Sequence, residues 1–135
     1  MNGITKLENF KKILLVEDNP FTQFMMKEII KTLGYEVDVA KNGQEGCERL
    51  DQEPEDYGLV LMDIHMPKLS GVDATQIIRQ KPNDPPRNIA IIAVTADEQY
   101  HDKSVVSKHG MDGFIAKPIT AGELNELIDQ YCRAS

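Results

Sequence analysis

The chain has 135 residues, 41% of them hydrophobic, which suits one domain with its own core and argues against disorder. A net charge of −7 argues against sequence-independent nucleic-acid binding, which needs a basic surface, and favours solubility and partners with basic patches. No apolar run nears the length of a membrane span, the N-terminal MNGITKLENFKK lacks a signal peptide's apolar stretch, and Cys47 and Cys132 form no CxxC, so a cytoplasmic chain with reduced thiols is expected.

Short apolar runs alternate with helical patterns throughout, the mark of an α/β domain with a parallel sheet. The first strand is expected at about Lys12 to Glu17, ending in the acid pair Glu17-Asp18. Asn19-Pro20 supplies a helix cap and a first-turn proline. The helix that follows carries Phe21, Met25, Ile29 and Leu33 at four-residue spacing, with Met26 and Ile30 alongside, and its Met25-Met26 stripe is read as core. Gly34 fits its stop. Strand two is short, Glu36 to Ala40, and Asn42-Gly43 breaks it. Helix two, about Gln44 to Leu50, is expected to be weak, because Gly46 lies inside it.

Strand three, from Tyr57, ends at Asp63, and Pro67 and Gly71 turn the chain away beyond it. Helix three is expected from about Val72 to Gln80, and the proline-rich stretch 81–88 as a solvated loop. Strand four, from Ile89, ends at Thr95. Helix four is expected as one segment from about Glu98 to Lys108. Strand five, Asp112 to Ala116, ends at Lys117-Pro118. Thr120-Ala121-Gly122-Glu123 is a capping-box pattern opening a last helix, whose Leu124, Leu127, Ile128 and Tyr131 share one face.

Five strands and five helices in strict alternation predict a flavodoxin-like doubly wound sheet of order 2-1-3-4-5. In that order the four strands that end in functional side chains are neighbours, and strand two, which ends in Ala40-Lys41, is the edge. Parallel strands put their carboxyl ends on one side, so Glu17, Asp18 and Asp63 are expected to crowd together. Two carboxylates about 5 Å apart repel by roughly 3 kcal/mol at an effective dielectric of 20. A hard divalent cation such as Mg2+ relieves that repulsion. Lys117 adds a positive charge, Thr95 a hydroxyl, and the loop after it backbone N–H groups. The set suits phosphoryl transfer to a carboxylate.

With these residues in place, the chain resembles the receiver domain of two-component response regulators. The matching stretches are LLVEDNP (14–20), LVLMDIHMPKLSG (59–71), AVTA (93–96) and GFIAKP (113–118), and their spacing covers about Lys12 to Tyr131 of a single domain, 1–135. The third-strand motif also looks like the receivers of hybrid histidine kinases. The resemblance implies that Asp63 is phosphorylated by a histidine kinase or phosphotransfer protein. Mg2+ is then held by Glu17, Asp18, Asp63 and the backbone carbonyl of His65. Thr95, Lys117 and the Ala96 N–H engage the phosphoryl group, Phe114 is the switch aromatic, and the bond before Pro118 is cis. It further implies self-phosphorylation from small phosphodonors and self-dephosphorylation, but no other enzyme activity. Since the last helix is expected to end near Tyr131, output would pass through the helix-four, strand-five, helix-five surface to another protein, by relay to a phosphotransfer histidine, or through sequence outside this chain, and the resemblance allows for a dimer that forms on phosphorylation.

Rival readings are weaker. A phosphorylation-independent pseudo-receiver does not need this complete set. An aspartate-nucleophile phosphohydrolase needs a second acid two residues on, where His65 stands, and neither a GxGxxG nor a P-loop supports a nucleotide enzyme.

Overall fold

The computed structural model describes residues 11–132, with the side chain of Cys132 outside that description, so the expectation for its thiol falls outside it too. The strands are β1 Lys12–Val16, β2 Val37–Ala40, β3 Tyr57–Asp63, β4 Ala90–Thr95 and β5 Gly113–Ala116. The helices are α1 Pro20–Thr32, α2 Gly43–Gln52, α3 Gly71–Arg79, α4 Lys103–Lys108 and α5 Ala121–Cys132. All strand pairs are parallel and the order is β2-β1-β3-β4-β5, as the alternation predicts. No helix among the described residues is long and apolar enough to cross a membrane.

The two faces of the sheet follow from the two-residue period of its strands. Ile13, Leu15, Leu59, Leu61, Ile92 and Val94 point to one side and pack with Met26 and Ile30 of α1 and Leu124 and Ile128 of α5. Leu14, Val16, Val60, Met62, Ile91 and Ala93 point to the other and meet Cys47, Leu50, Ala74, Ile78 and Val106 of α2, α3 and α4. Burial on both faces is why these strands read as unbroken apolar runs.

Each helix that positions the site has a side-chain cap. Asn19 accepts from the Thr22 N–H at 3.0 Å, Asn42 from Glu45 at 2.8 Å and Ser70 from Asp73 at 3.1 Å. At the start of α5 the box is incomplete. The Glu123 N–H reaches the Thr120 hydroxyl at 3.3 Å, but the Glu123 carboxylate takes that same hydroxyl's proton at 3.0 Å instead of a backbone N–H.

Three expectations are corrected. Met25 is not core: Phe21, Phe24 and Met25 of α1 are 71%, 63% and 46% exposed, while Met26 and Ile30 are buried. The four-residue spacing drifts around a helix of 3.6 residues per turn, so the stripe that begins at Phe21 lies off the buried face. The single helix expected over 98–108 is broken into a short 3-10 turn, Glu98–Tyr100, and α4. Two aspartates compete with the helix there. Asp97 accepts from the Gln99 N–H at 3.0 Å and Asp102 from Ser104 at 2.8 Å, each restarting the backbone. Third, α2 is longer than its sequence suggests. A Cβ at Gly46 would sit 2.9 Å from Val16 Cγ2, so the glycine that weakens the isolated helix is what lets it lie close on β1. The proline-rich stretch 81–88 is irregular, and Arg79 ties it down through the Arg87 and Ile89 carbonyls, both at 2.8 Å.

Candidate functional site

The carboxyl ends of β1, β3, β4 and β5 converge. Glu17 and Asp18 follow β1, Asp63 closes β3, Thr95 closes β4 and Lys117 follows β5. Oxygens of Glu17, Asp18 and Asp63 all lie within 4.8 Å of one another. Glu17 is 1% exposed and Asp63 6%, so the burden of crowding is not relieved by water. The Lys117 ammonium lies 3.0 Å from Glu17 Oε1 and 3.8 Å from Asp63 Oδ1. Lys117 therefore faces two of the three acids.

Burial, then the neighbouring Glu17 charge, push the Asp63 carboxyl up to about 7, against the pull of Lys117. The second Glu17 oxygen accepts the Asn19 N–H at 3.1 Å, and Gln23 donates to the Glu17 carbonyl at 2.6 Å, so α1 fixes this acid from behind. The donor set is three carboxylate oxygens around one point with a net negative charge, which suits a hard divalent cation such as Mg2+.

Asp63 is held by a close approach. The Gly71 N–H donates to the Ile64 carbonyl at 2.8 Å, and a Cβ at Gly71 would run into the Asp63 carbonyl oxygen. Thr95 is buried, and its hydroxyl accepts from the Asp97 N–H at 3.0 Å. Its carbonyl accepts the Lys117 N–H at 3.1 Å, joining the ends of β4 and β5. The Lys117–Pro118 peptide is cis. Ala96 is exposed and lies at the end of an apolar groove of about 370 Å³ formed with Phe21, Met25, Ile29, Pro118 and Ile119.

Phe114 stands in register with Ala93, two residues before Thr95 on the same face of the sheet, and is half-buried. Sequence reasoning missed what surrounds it. The His101 imidazole stacks on the Phe114 ring with centroids 5.6 Å apart and 14° between planes. It also missed a bridge between loops, in which His65 Nε2 lies 2.7 Å from Asp97 Oδ2. This bond, ahead of the Gln99 N–H, lowers the Asp97 carboxyl below its usual range. Neither pairing has a local signature, because the partners come from different loops. His65, His101 and His109 join no metal-sized cluster among the described residues.

The chain is similar to known proteins. Residues 13–129 match the family described as response regulator receiver domain. Histidine kinase 5 of Arabidopsis thaliana is 35% identical over 144 residues, covering 89% of this chain but 15% of the kinase. The polar-differentiation response regulator DivK of Brucella anthropi is 33% identical over 121 residues, covering 90% of this chain and 95% of DivK. The chain thus spans a small part of the kinase and nearly the whole of DivK. Among solved structures, the receiver domain of sensor histidine kinase PA1611 from Pseudomonas aeruginosa superposes with a TM-score of 0.79 at 33% identity, over 90% of this chain and 97% of that one. That structure has a magnesium ion coordinated in its active-site cleft. Sequence match over most of its length, the sheet order and the convergent strand ends agree: the chain belongs to the response regulator receiver domain family.

Proposed function

We propose that the protein is a phosphoacceptor switch whose Asp63 takes a phosphoryl group from a phosphohistidine on a histidine kinase or phosphotransfer protein. One observation carries this reading. A buried carboxylate sits among two further acids, with a lysine 3.8 Å away and a threonine at the end of the next strand. In the transfer, an Asp63 oxygen attacks phosphorus, the P–N bond to the donor imidazole breaks, and an acyl phosphate forms. The released imidazole nitrogen takes up a proton.

Glu17, Asp18, Asp63 and the His65 carbonyl would hold Mg2+. When bound, that ion offsets the charge of the acids and of the transferred oxygens. Lys117 steadies the phosphoryl oxygens from the side of β5. Thr95 turns its hydroxyl away from the Asp97 N–H to donate to the phosphoryl group, and the Ala96 N–H offers a further donor. The new charge of about −1.5 to −2 favours that rearrangement. Its effect passes to Phe114 and to the α4, β5 and α5 surface, which would engage a downstream protein or a second copy.

The donor is expected to dock on α1. Phe21, Phe24 and Met25 form an exposed apolar face, and the adjoining groove runs to Ala96 and Lys117 beside the acids. A helix laid on that face brings its histidine to the mouth of the site. Small phosphodonors need no docking, which makes them the clean test. With Mg2+ and acetyl phosphate, intact mass spectrometry is expected to show one base-labile phosphoryl adduct, absent in Asp63→Asn. An equal adduct on the asparagine variant would sink the assignment.

A further inference from the structure

The Thr95 carbonyl is a junction. It accepts the Lys117 N–H at 3.1 Å and, from the other side, the imidazole of His101 at 2.8 Å. A carbonyl oxygen can only accept, so His101 Nε2 carries the hydrogen. The face of that same imidazole lies nearly parallel to the Phe114 ring. His101 is half-buried in the gap between the 3-10 turn and α4, where Asp102 caps the helix that follows. It is thus one rigid plate, fixed at its edge to Thr95 and at its face to Phe114.

We infer that His101 is a positioning residue that couples Thr95 to Phe114, holding the aromatic ring in its resting place and releasing it when the loop after β4 rearranges. The inference rests on Asp63 as phosphoacceptor for its trigger, but its mechanical part belongs to the resting protein. If the Thr95 hydroxyl leaves the Asp97 N–H for a phosphoryl group, the turn over 97–100 loses an anchor. His101 then either follows the turn or loses the carbonyl. Both remove the stack from Phe114. Because Asp102 is the next residue, the same displacement reaches the first turn of α4. A ligand shifts an equilibrium only through contacts that differ between states, and these two contacts of one side chain supply the difference.

Two substitutions separate the contacts. His101→Phe keeps a ring and loses the donor, whereas His101→Gln keeps a donor and loses the ring. In the resting protein, wild type is expected to show the His101 Nε2-protonated tautomer by imidazole ¹⁵N shifts. Each variant is expected to displace the Phe114 ring resonances and the Lys117 amide. On adding Mg2+ and beryllofluoride, the amides of residues 64–66 should respond in all three proteins, but most of the Phe114 ring response should be lost in both variants. A wild-type Phe114 response in either variant overturns the inference. So do unshifted Phe114 and Lys117 resonances at rest, whatever beryllofluoride does. Absence of any response at 64–66 in wild type counts instead against the reading of Asp63, while the resting spectra still decide the role of His101.

Discussion

Replacing Asp63 with asparagine is expected to stabilise the metal-free protein, although it destroys the proposed phosphoacceptor. Burial and the Glu17 charge push the carboxyl up to about 7 in the fold, from an ordinary value of 3.8. A raised folded value means that the native state binds more protons than the unfolded chain between those two values. Stability from this group is therefore whole below about pH 4 and lost as pH rises through 7. At pH 8 ionising the buried side chain costs the fold at most about 4 kcal/mol; at pH 5 the native carboxyl is already protonated, and the cost of about 2 kcal/mol is that of binding a proton the unfolded chain has released. Asparagine occupies the same volume without the charge, leaving Lys117 to Glu17. Urea unfolding in the presence of a chelator, at both pH values, measures the difference. The variant is expected to gain several kcal/mol over wild type at pH 8 and markedly less at pH 5. Saturating Mg2+ should narrow the gap at pH 8 by favouring the ionised wild type. Equal stability of the two proteins at pH 8 without metal would refute the reasoning, as would a gain independent of pH.

Other perturbations test the supports. Mg2+ at a hundredfold excess over its dissociation constant is expected to stabilise wild type by about 2.7 kcal/mol, and Asp18→Asn to lose most of that shift in thermal melts. Arg79→Met takes the guanidinium from the Gly110, Arg87 and Ile89 carbonyls and from the Asp112 carboxylate, which it serves at 2.8 to 3.2 Å, and leaves Asp112 only the Ile91 N–H. A loss of about 2–4 kcal/mol in urea unfolding is expected, and Arg79→Lys should recover little of it, because one ammonium cannot span four acceptors. Gly71→Ala drives a methyl into the Asp63 carbonyl, so a loss of about 1–3 kcal/mol and slower labelling by acetyl phosphate are expected together.

The sheet and the acids could be read before the fold was seen, for physical reasons. Strands buried on both faces leave unbroken runs such as Ile91 to Val94, and the four runs other than β2 end at or beside a residue of the site. Asp18 and Asp63 need only the right strand ends to meet. What the sequence hid depends on competition or on distance. Met25 and Met26 are chemically alike, and only the packing of α1 between sheet and α5 decides which faces inward. The break between Tyr100 and Lys103 turns on two aspartate caps competing with a helix that has few apolar residues. The pairs His65–Asp97 and His101–Phe114 join loops that have no shared periodicity, so no pattern along the chain announces them.

The ion pair between Lys117 and Glu17 spans 100 residues of sequence. During synthesis the three acids emerge well before the cation that offsets them. Among the described residues β5 is the last strand in chain order, and the Lys117–Glu17 pair beyond it closes the longest loop in the site, at the greatest entropic cost. A chain stalled or cleaved ahead of β5 keeps the carboxylates but lacks the lysine and the backbone N–H that the Thr95 carbonyl accepts. The charge balance around Asp63 is therefore complete only when β5 has docked. If Asp63 is the phosphoacceptor proposed above, the switch is armed only after the fifth strand has joined the sheet.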